Sequence, residues 1–310
     1  IQQLRSVSGE IRLAKAKTAF VCNDCGADFP KWQGQCSECH AWNTLTEIRL
    51  TAPATKSGKA RAAGRSGYAG AVAAVQRLED VAVVDLPRLA SGFDELDRVL
   101  GGGFVSGSSI LIGGHPGAGK STLLLQALCQ LAAAHPALYV TGEESPEQIA
   151  LRANRLGLPT DRLQLMAETD VDAILASAES LKPKILVVDS IQVVHSETLT
   201  SAPGSVSQVR DCAAQLTRYA KQTGTILILV GHVTKDGSLA GPKVLEHMID
   251  CSILLEGDHD SRYRTLRGQK NRFGAVNELG IFAMTDTGMR EVTNPSAIFL
   301  DRSEHTAPGT

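Results

Sequence analysis

The sequence predicts an α/β protein: a largely parallel sheet with helices on both faces, preceded by a small cysteine-rich module. Three observations carry this. From about residue 81 onward, short apolar runs of strand length alternate with segments of helical spacing, the pattern of a parallel sheet with crossover helices. One of these strands, 109–113, leads directly into Gly114-His115-Pro116-Gly117-Ala118-Gly119-Lys120-Ser121, which fits G-x-x-x-x-G-K-[ST]. Four of the seven cysteines fall in two C-x-x-C pairs close to the N-terminus.

The pairs are Cys22-x2-Cys25 and Cys36-x2-Cys39, separated by ten residues. This is the spacing of a four-cysteine zinc ribbon, in which each knuckle gives two thiolates to one tetrahedral ion. Four thiolates leave no open position, so the expected zinc is structural. Gly26 and Gly34 let the chain turn at the knuckles. Phe29, Trp32 and Trp42 are expected to form a small core, because about 30 residues bury too little surface to fold without a metal. His40 adjoins Cys39 and reads as a neighbour of the site rather than a ligand. Cys129, Cys212 and Cys251 lie in apolar patterns and read as small buried hydrophobes.

From residue 48 to 78 there is no acidic residue, whereas Arg49, Lys56, Lys59, Arg61, Arg65 and Arg77 are present among Ala, Gly, Ser and Thr. This reads as a flexible basic linker, either a solvated tether or a phosphate-contacting arm. The expected organisation is a tail over 1–20, the ribbon over 21–47, the linker over 48–80 and the α/β core over 81–295. Residues 1–13 read as an added N-terminal stretch.

Within the core, 91–97 opens a short helix that ends at Gly101-Gly102-Gly103. After the glycine-rich loop comes a helix over 122–131. The strand 137–141 ends at Gly142-Glu143-Glu144-Ser145, and a helix follows over 146–156. The strand 185–190 carries Asp189 at its end, 209–222 has helical spacing, and the strand 226–231 has His232 at its tip. Later strands are expected at 249–256, 263–268 and 279–284. In such sheets ligands bind beyond the carboxyl ends of the strands. The loop, Glu143, Asp189 and His232 all fall there.

The chemistry expected is that of a nucleoside triphosphate site. Gly114, His115, Pro116, Gly117, Ala118, Gly119, Lys120 and Ser121 would bind ATP. The glycines let the backbone approach phosphate, and amide N–H groups and a helix N-terminus face its charge. Lys120 would reach the β- and γ-phosphates, and Ser121 with Asp189 would hold Mg²⁺. Glu143 is placed to orient or deprotonate the attacking water. Glu144 is the weaker candidate, because a helix start also favours acids. His232 reads either as a γ-phosphate sensor or as a structural histidine.

Further on, Lys270-Asn271-Arg272-Phe273-Gly274 completes a combination found in one family. The two cysteine knuckles, the phosphate loop and K-N-R-F-G, in that order, resemble the bacterial RadA (Sms) DNA repair family. So do Ser91-Gly92-Phe93-Asp94-Glu95-Leu96-Asp97 and Gly231-His232-Val233-Thr234-Lys235-Asp236-Gly237. The resemblance covers about residues 14–300. It implies a RecA-type P-loop ATPase core and a homo-oligomeric ring, a hexamer. It also implies a DNA-dependent ATPase that processes recombination intermediates, translocating on single-stranded DNA and promoting branch migration, with single-stranded and branched DNA as partners. It gives Lys270 the role of a finger reaching the ATP of the adjacent subunit, with Arg272 supporting it or touching DNA. Members of that family continue into a Lon protease-like region, of which 296–310 would be the start, truncated or absent here. The partner of the ribbon is open between DNA, a recombinase and a replicative helicase. Two other readings stand beside the motor: an ATP-switched ring assembly module, and a signalling ATPase resembling the clock protein KaiC.

Arg262, Arg264, Arg267, Lys270 and Arg272 fall within eleven residues without an acid. On a strand, Arg262 and Arg264 would share a face. The resemblance to RecA-type motors implies that two polar loops, about 195–208 and 234–243, face the ring centre, with Lys235 and Lys243 as candidate phosphate contacts. The net charge of −2 neither supports nor excludes a nucleic-acid partner. No apolar run is long enough to cross a membrane, and residues 1–17 lack a secretory apolar segment. The expected location is therefore cytoplasmic.

Overall fold

The computed structural model describes residues 17–22, 28–38, 40–50, 77, 79, 87–232, 243–257 and 261–293. The chain divides into two compact units, 1–61 and 62–310.

The first unit is a three-stranded antiparallel sheet of β1 (Lys17–Cys22), β2 (Asp28–Phe29) and β3 (Leu45–Leu50), in the order β2-β1-β3. Cys22 closes β1 opposite Leu45, and both are buried. The second knuckle is a tight loop. The Cys36 amide donates to Ala41 O at 2.9 Å, the His40 amide donates back to Cys36 O at 2.9 Å, and the Asn43 amide donates to Gly34 O at 2.8 Å. His40 and Asn43 take left-handed backbone angles to close it. Cys25 and Cys39 lie outside the described residues.

The expected aromatic core of this unit is not there. Trp32 and Trp42 are 56% and 69% exposed and lie on either side of Gly34, where a Cβ would be 3.7 Å from one and 3.9 Å from the other. Phe29 is half-buried. The described residues of this unit bury Cys22, Cys36 and Leu45 and leave both indoles exposed.

In the second unit, β4 (Arg88–Leu89), α1 (Asp94–Leu100) and β5 (Phe104–Val105) lead into β6 (Ser109–Gly114) and α2 (Lys120–Leu131). Then come β7 (Ala137–Thr141), α3 (Pro146–Arg155), β8 (Gln164–Ala167), α4 (Val171–Leu181) and β9 (Ile185–Asp189). The chain continues through α5 (Val206–Thr223), β10 (Ile226–Val230), the short α6 (Lys243–Glu246) and β11 (Cys251–Glu256). It ends in an antiparallel meander of β12 (Tyr263–Asn271), β13 (Leu279–Thr285) and β14 (Gly288–Glu291). The pair β8–α4 goes beyond the elements expected from sequence. β8 is a half-buried edge strand, and its short pattern does not stand out from a loop.

The nine-stranded sheet has the order β14-β13-β12-β11-β6-β10-β9-β7-β8. The six strands from β11 to β8 are parallel, and the last three in sequence run antiparallel at one edge. Alternate residues of the central strands feed two cores. Ile110, Ile112, Ile185 and Val187 pack with α1, α2 and α3, whereas Leu111, Leu186 and Val188 pack with α4, α5 and Leu245 of α6. Being covered on both faces explains why these strands read as unbroken apolar runs. Cys129, Cys212 and Cys251 are buried as expected.

Local chemistry sets the helix starts. Ser145 caps α3 through a capping box with Gln148, and Pro146 occupies its first turn. Asp170 caps α4, and Ser205 caps α5. The last cap extends α5 three residues further toward the N-terminus than its apolar spacing indicated. No described helix is long and apolar enough to cross a membrane.

Candidate nucleotide-binding site

The loop after β6 forms one wall of a cavity of about 420 Å³ at the carboxyl edge of the parallel sheet. Gly119 sits at the N-cap of α2 with φ 104°, and a Cβ there would meet Met284 Cε at 2.6 Å. Only glycine combines that backbone angle with that clearance. The turn aims the first amides of α2, and the positive end of its dipole, into the cavity.

Lys120 is 5% exposed, and its Nζ donates to Gly114 O at 2.8 Å and His115 O at 3.0 Å. Burial holds its pKa below the ordinary value, and the carboxylates of Asp189 and Glu143 offset only part of that. The ammonium is therefore folded into the loop on exchangeable carbonyl contacts, where an arriving phosphate can compete for it.

Parallel pairing places Thr141 of β7 opposite Asp189 of β9, so the acids at and beyond these strand ends fall in one place. Asp189 is buried and accepts from Ser121 Oγ at 2.6 Å and Tyr139 OH at 2.5 Å, both on Oδ2. Glu143 accepts from Ser190 Oγ, and its Oε1 lies 3.2 Å from His232 Nε2. The other ring nitrogen of His232 is 3.4 Å from Lys120 Nζ. Lys120, His232 and Glu143 thus form a continuous polar chain across the cavity. Glu144 also lines the cavity but pairs with Arg152 of α3, and Thr141 Oγ1 pins its backbone, accepting from Glu144 N and donating to Glu144 O.

Several residues at this site were not singled out by sequence. Tyr139 is 1% exposed, and burial pushes its phenol well above the ordinary value. It therefore serves Asp189 as a fixed donor. A phenol inside an otherwise aliphatic strand was the available signal. Ser190 follows Asp189 directly. Arg152 and Arg155 line the cavity from α3, and their i, i+3 spacing marks a shared face.

The remaining sequence candidates lie elsewhere. Lys270 does not line the cavity. Its Nζ donates to Glu246 O and, at 2.7 Å, to Ile249 O, closing the end of α6. Burial and the neighbouring Arg272 push its pKa down. Arg272 reaches Asp250 Oδ1 at 3.2 Å. Asn271 Nδ2 donates to Leu100 O at 3.1 Å, and Arg88 donates to Phe273 O at 2.5 Å. Lys243 starts α6, and Lys235 lies outside the described residues, as does most of the polar loop expected at 234–243.

One expectation is overturned. Arg262 and Arg264 do not share an exposed basic face. Arg262 is exposed over the ring of Tyr263, 4.9 Å from its centroid, while Arg264 is 8% exposed and donates to Ala118 O. β12 begins at Tyr263, so Arg262 stands before the strand and its alternation does not apply. Arg264 shares parity with the buried Leu266 and points into the core side.

Comparison with known proteins agrees with this geometry. The AAA domain family matches residues 73–238, more than half of the chain. The chain belongs to the AAA domain family. The rubredoxin metal binding domain family matches residues 20–47, the segment with the cysteine knuckles. The chain is 63% identical over 299 residues to DNA repair protein RadA of Escherichia coli K12, which covers 96% of this chain and 65% of that protein. It is 57% identical over 298 residues to the RadA protein of Pseudomonas aeruginosa, and 46% identical over 302 residues to that of Bacillus subtilis. Each match covers 96% of this chain and 64% of the relative. The chain therefore spans just under two thirds of the length of these curated relatives. Among solved structures, the KaiC-like protein PH0186 of Pyrococcus horikoshii OT3 shares the fold with a TM-score of 0.56 at 21% identity, over 67% of this chain and all of that one. The AAA family member has the RecA-like arrangement of a P-loop beside a parallel sheet, with a zinc ribbon domain ahead of it.

Proposed function

We propose that this chain hydrolyses ATP as part of a DNA-dependent motor in recombinational repair, acting as a homo-oligomeric ring on single-stranded and branched DNA. The observation that carries the reading is the convergence, in one cavity, of Lys120, the Ser121–Asp189 pair and a Glu143 held by Ser190 and His232. The similarity to proteins named for DNA repair supplies the biological setting.

In this reading Lys120 exchanges its loop carbonyls for the β- and γ-phosphates. The amides of Gly119, Lys120 and Ser121 turn toward the same charge. Ser121 Oγ and Asp189 Oδ2, two hard oxygen donors already 2.6 Å apart, suit Mg²⁺. When bound, Mg²⁺ neutralises charge on the phosphate oxygens. Tyr139 keeps Asp189 in place. Glu143 takes the proton of the attacking water or orients that water, with its carboxylate fixed by Ser190 and His232. His232 touches both Glu143 and Lys120, so it can report the γ-phosphate to the residues that follow it, 233–242. In the ribbon, Cys22 and Cys36, both fully buried, would hold zinc together with Cys25 and Cys39. Zinc would tie the two knuckles together.

The deciding measurement is ATP turnover with and without single-stranded and forked DNA, at several salt concentrations. DNA stimulation that weakens with salt is expected. Turnover indifferent to DNA at low salt, with no DNA bound, would remove the motor reading and leave an ATP-switched assembly module.

A further inference from the structure

Arg264 is a buried cation that no step above uses. It lies on the face of β12 that carries Leu266 and Gly268, opposite Phe282 of β13, and is 8% exposed. Burying a guanidinium is costly unless its donors are met. Here they are met chiefly by carbonyl groups: Nη1 donates to Tyr263 O at 2.9 Å and to Ser261 O, and Nε donates to Ala118 O at 3.2 Å. Space for it is left by Gly257, where a Cβ would lie 2.5 Å from Arg264 Cδ and 2.8 Å from Tyr263 O. The antiparallel edge of the sheet therefore hydrogen-bonds the phosphate loop through Arg264, 146 residues away in sequence.

The acceptor matters more than the charge. A peptide group is planar and trans, so its C=O and the following N–H point in opposite directions. Ala118 O is drawn toward β12 by Arg264. The Gly119 N–H on the same peptide must then point the other way, toward the cavity that Gly119 lines. Gly119, with φ 104°, resists this rotation less than any other residue. Without Arg264 the Ala118 carbonyl loses this hydrogen bond, and the peptide plane is held less firmly.

We propose that Arg264 is a positioning residue of the nucleotide site, fixing the Ala118–Gly119 peptide so that the Gly119 amide is presented to phosphate before ATP arrives. This rests on the nucleotide-binding reading and deepens it. Arg264 does not line the cavity; it acts through the loop backbone. It also makes β12, the strand that carries both Arg264 and Lys270, a support of the chain's own phosphate loop.

The test uses the full chain with R264Q and R264K. It measures the affinity for a fluorescent ADP analogue and for ATP, ATP turnover, and thermal unfolding with and without nucleotide. R264Q is expected to weaken nucleotide binding by roughly tenfold or more, the loss expected for a hydrogen bond from a charged donor. Its folded spectrum should be retained, and R264K should recover part of the affinity. A purely structural role would instead lower the unfolding temperature of the nucleotide-free protein while leaving the affinity of the folded fraction at the wild-type value. That result overturns the proposal. If R264Q does not fold, R264K alone decides: affinity below wild type supports the proposal, and wild-type affinity removes it. If wild-type protein itself binds no nucleotide, the underlying site reading falls, and the role of Arg264 falls with it.

Discussion

Glu143 and Glu144 are neighbours in sequence and chemically alike, yet the fold gives them different work. Both line the cavity, but Glu144 is paired with Arg152, whereas Glu143 sits between a serine and a histidine. E143Q is therefore expected to keep ATP affinity while turnover falls about 100-fold or more, the usual contribution of a positioned general base. K120A should lose productive binding altogether. Equilibrium binding beside single-turnover hydrolysis separates the two, and rapid hydrolysis by E143Q would exclude Glu143 as the base. The buried cysteines make a prediction about pH. Burial pushes the Cys129 thiol up to about 11, and those of Cys212 and Cys251 up to about 12, from an ordinary value of 9.0. Between pH 9 and these values the folded protein retains protons that the unfolded chain has lost. The stability these thiols contribute is complete below pH 9 and is lost as pH rises through 11 to 12. The urea midpoint of wild-type protein should fall across this range more steeply than that of C212A, and equal slopes would refute the assignment.

At the scale of elements, the residues of the K-N-R-F-G segment act as a clamp. Lys270 closes the end of α6, Asn271 holds the end of α1, and Arg272 joins Lys221 of α5 on Asp250. Asp250 is 2% exposed and also accepts from the Ser109 amide at 3.0 Å. D250A removes the shared acceptor of two cations and an amide, so it should cost about 3 kcal/mol or more in denaturant unfolding. R272A, whose guanidinium is largely exposed, should cost less than about 1 kcal/mol. The motif was legible in sequence, but its use inside one chain was not, because its partners lie on α1, α5 and α6. The ribbon permits an independent test, since both tryptophans of the chain, Trp32 and Trp42, lie in it. Removing zinc with a chelator should change tryptophan emission while the unfolding midpoint of the helical core, followed by circular dichroism, stays where it was. A core midpoint that moves with the ribbon would contradict separate folding of the two units.

At the scale of the whole molecule, the proposed ring asks something further of Lys270. Within one chain its ammonium is occupied at the end of α6. Reaching a neighbour's nucleotide would require exchanging those carbonyls for phosphate, which would release the end of α6. K270A should therefore leave the folded monomer intact and lower cooperative hydrolysis. Mixing K270A with K120A protein should restore part of the turnover, because some interfaces then pair an intact loop with an intact lysine. No recovery at any mixing ratio would argue against action across the interface.

Sequence by itself determined the fold class and the phosphate loop, because backbone needs at Gly114 to Ser121 and the apolar strands around them are local and leave a local signature. It also marked Glu143, Asp189 and His232 as strand-end groups, since the carboxyl edge of a parallel sheet follows from strand order alone. Only the tertiary structure decided which of these groups meet. Tyr139 on Asp189, Ser190 and His232 on Glu143, and Arg264 on Ala118 join strands that are distant in sequence. Where β12 begins decided that Arg262 stands outside the strand while Arg264 points to the buried side with Leu266, and packing left Trp32 and Trp42 exposed. Such contacts arise from register and packing between elements, which no single stretch of the chain encodes.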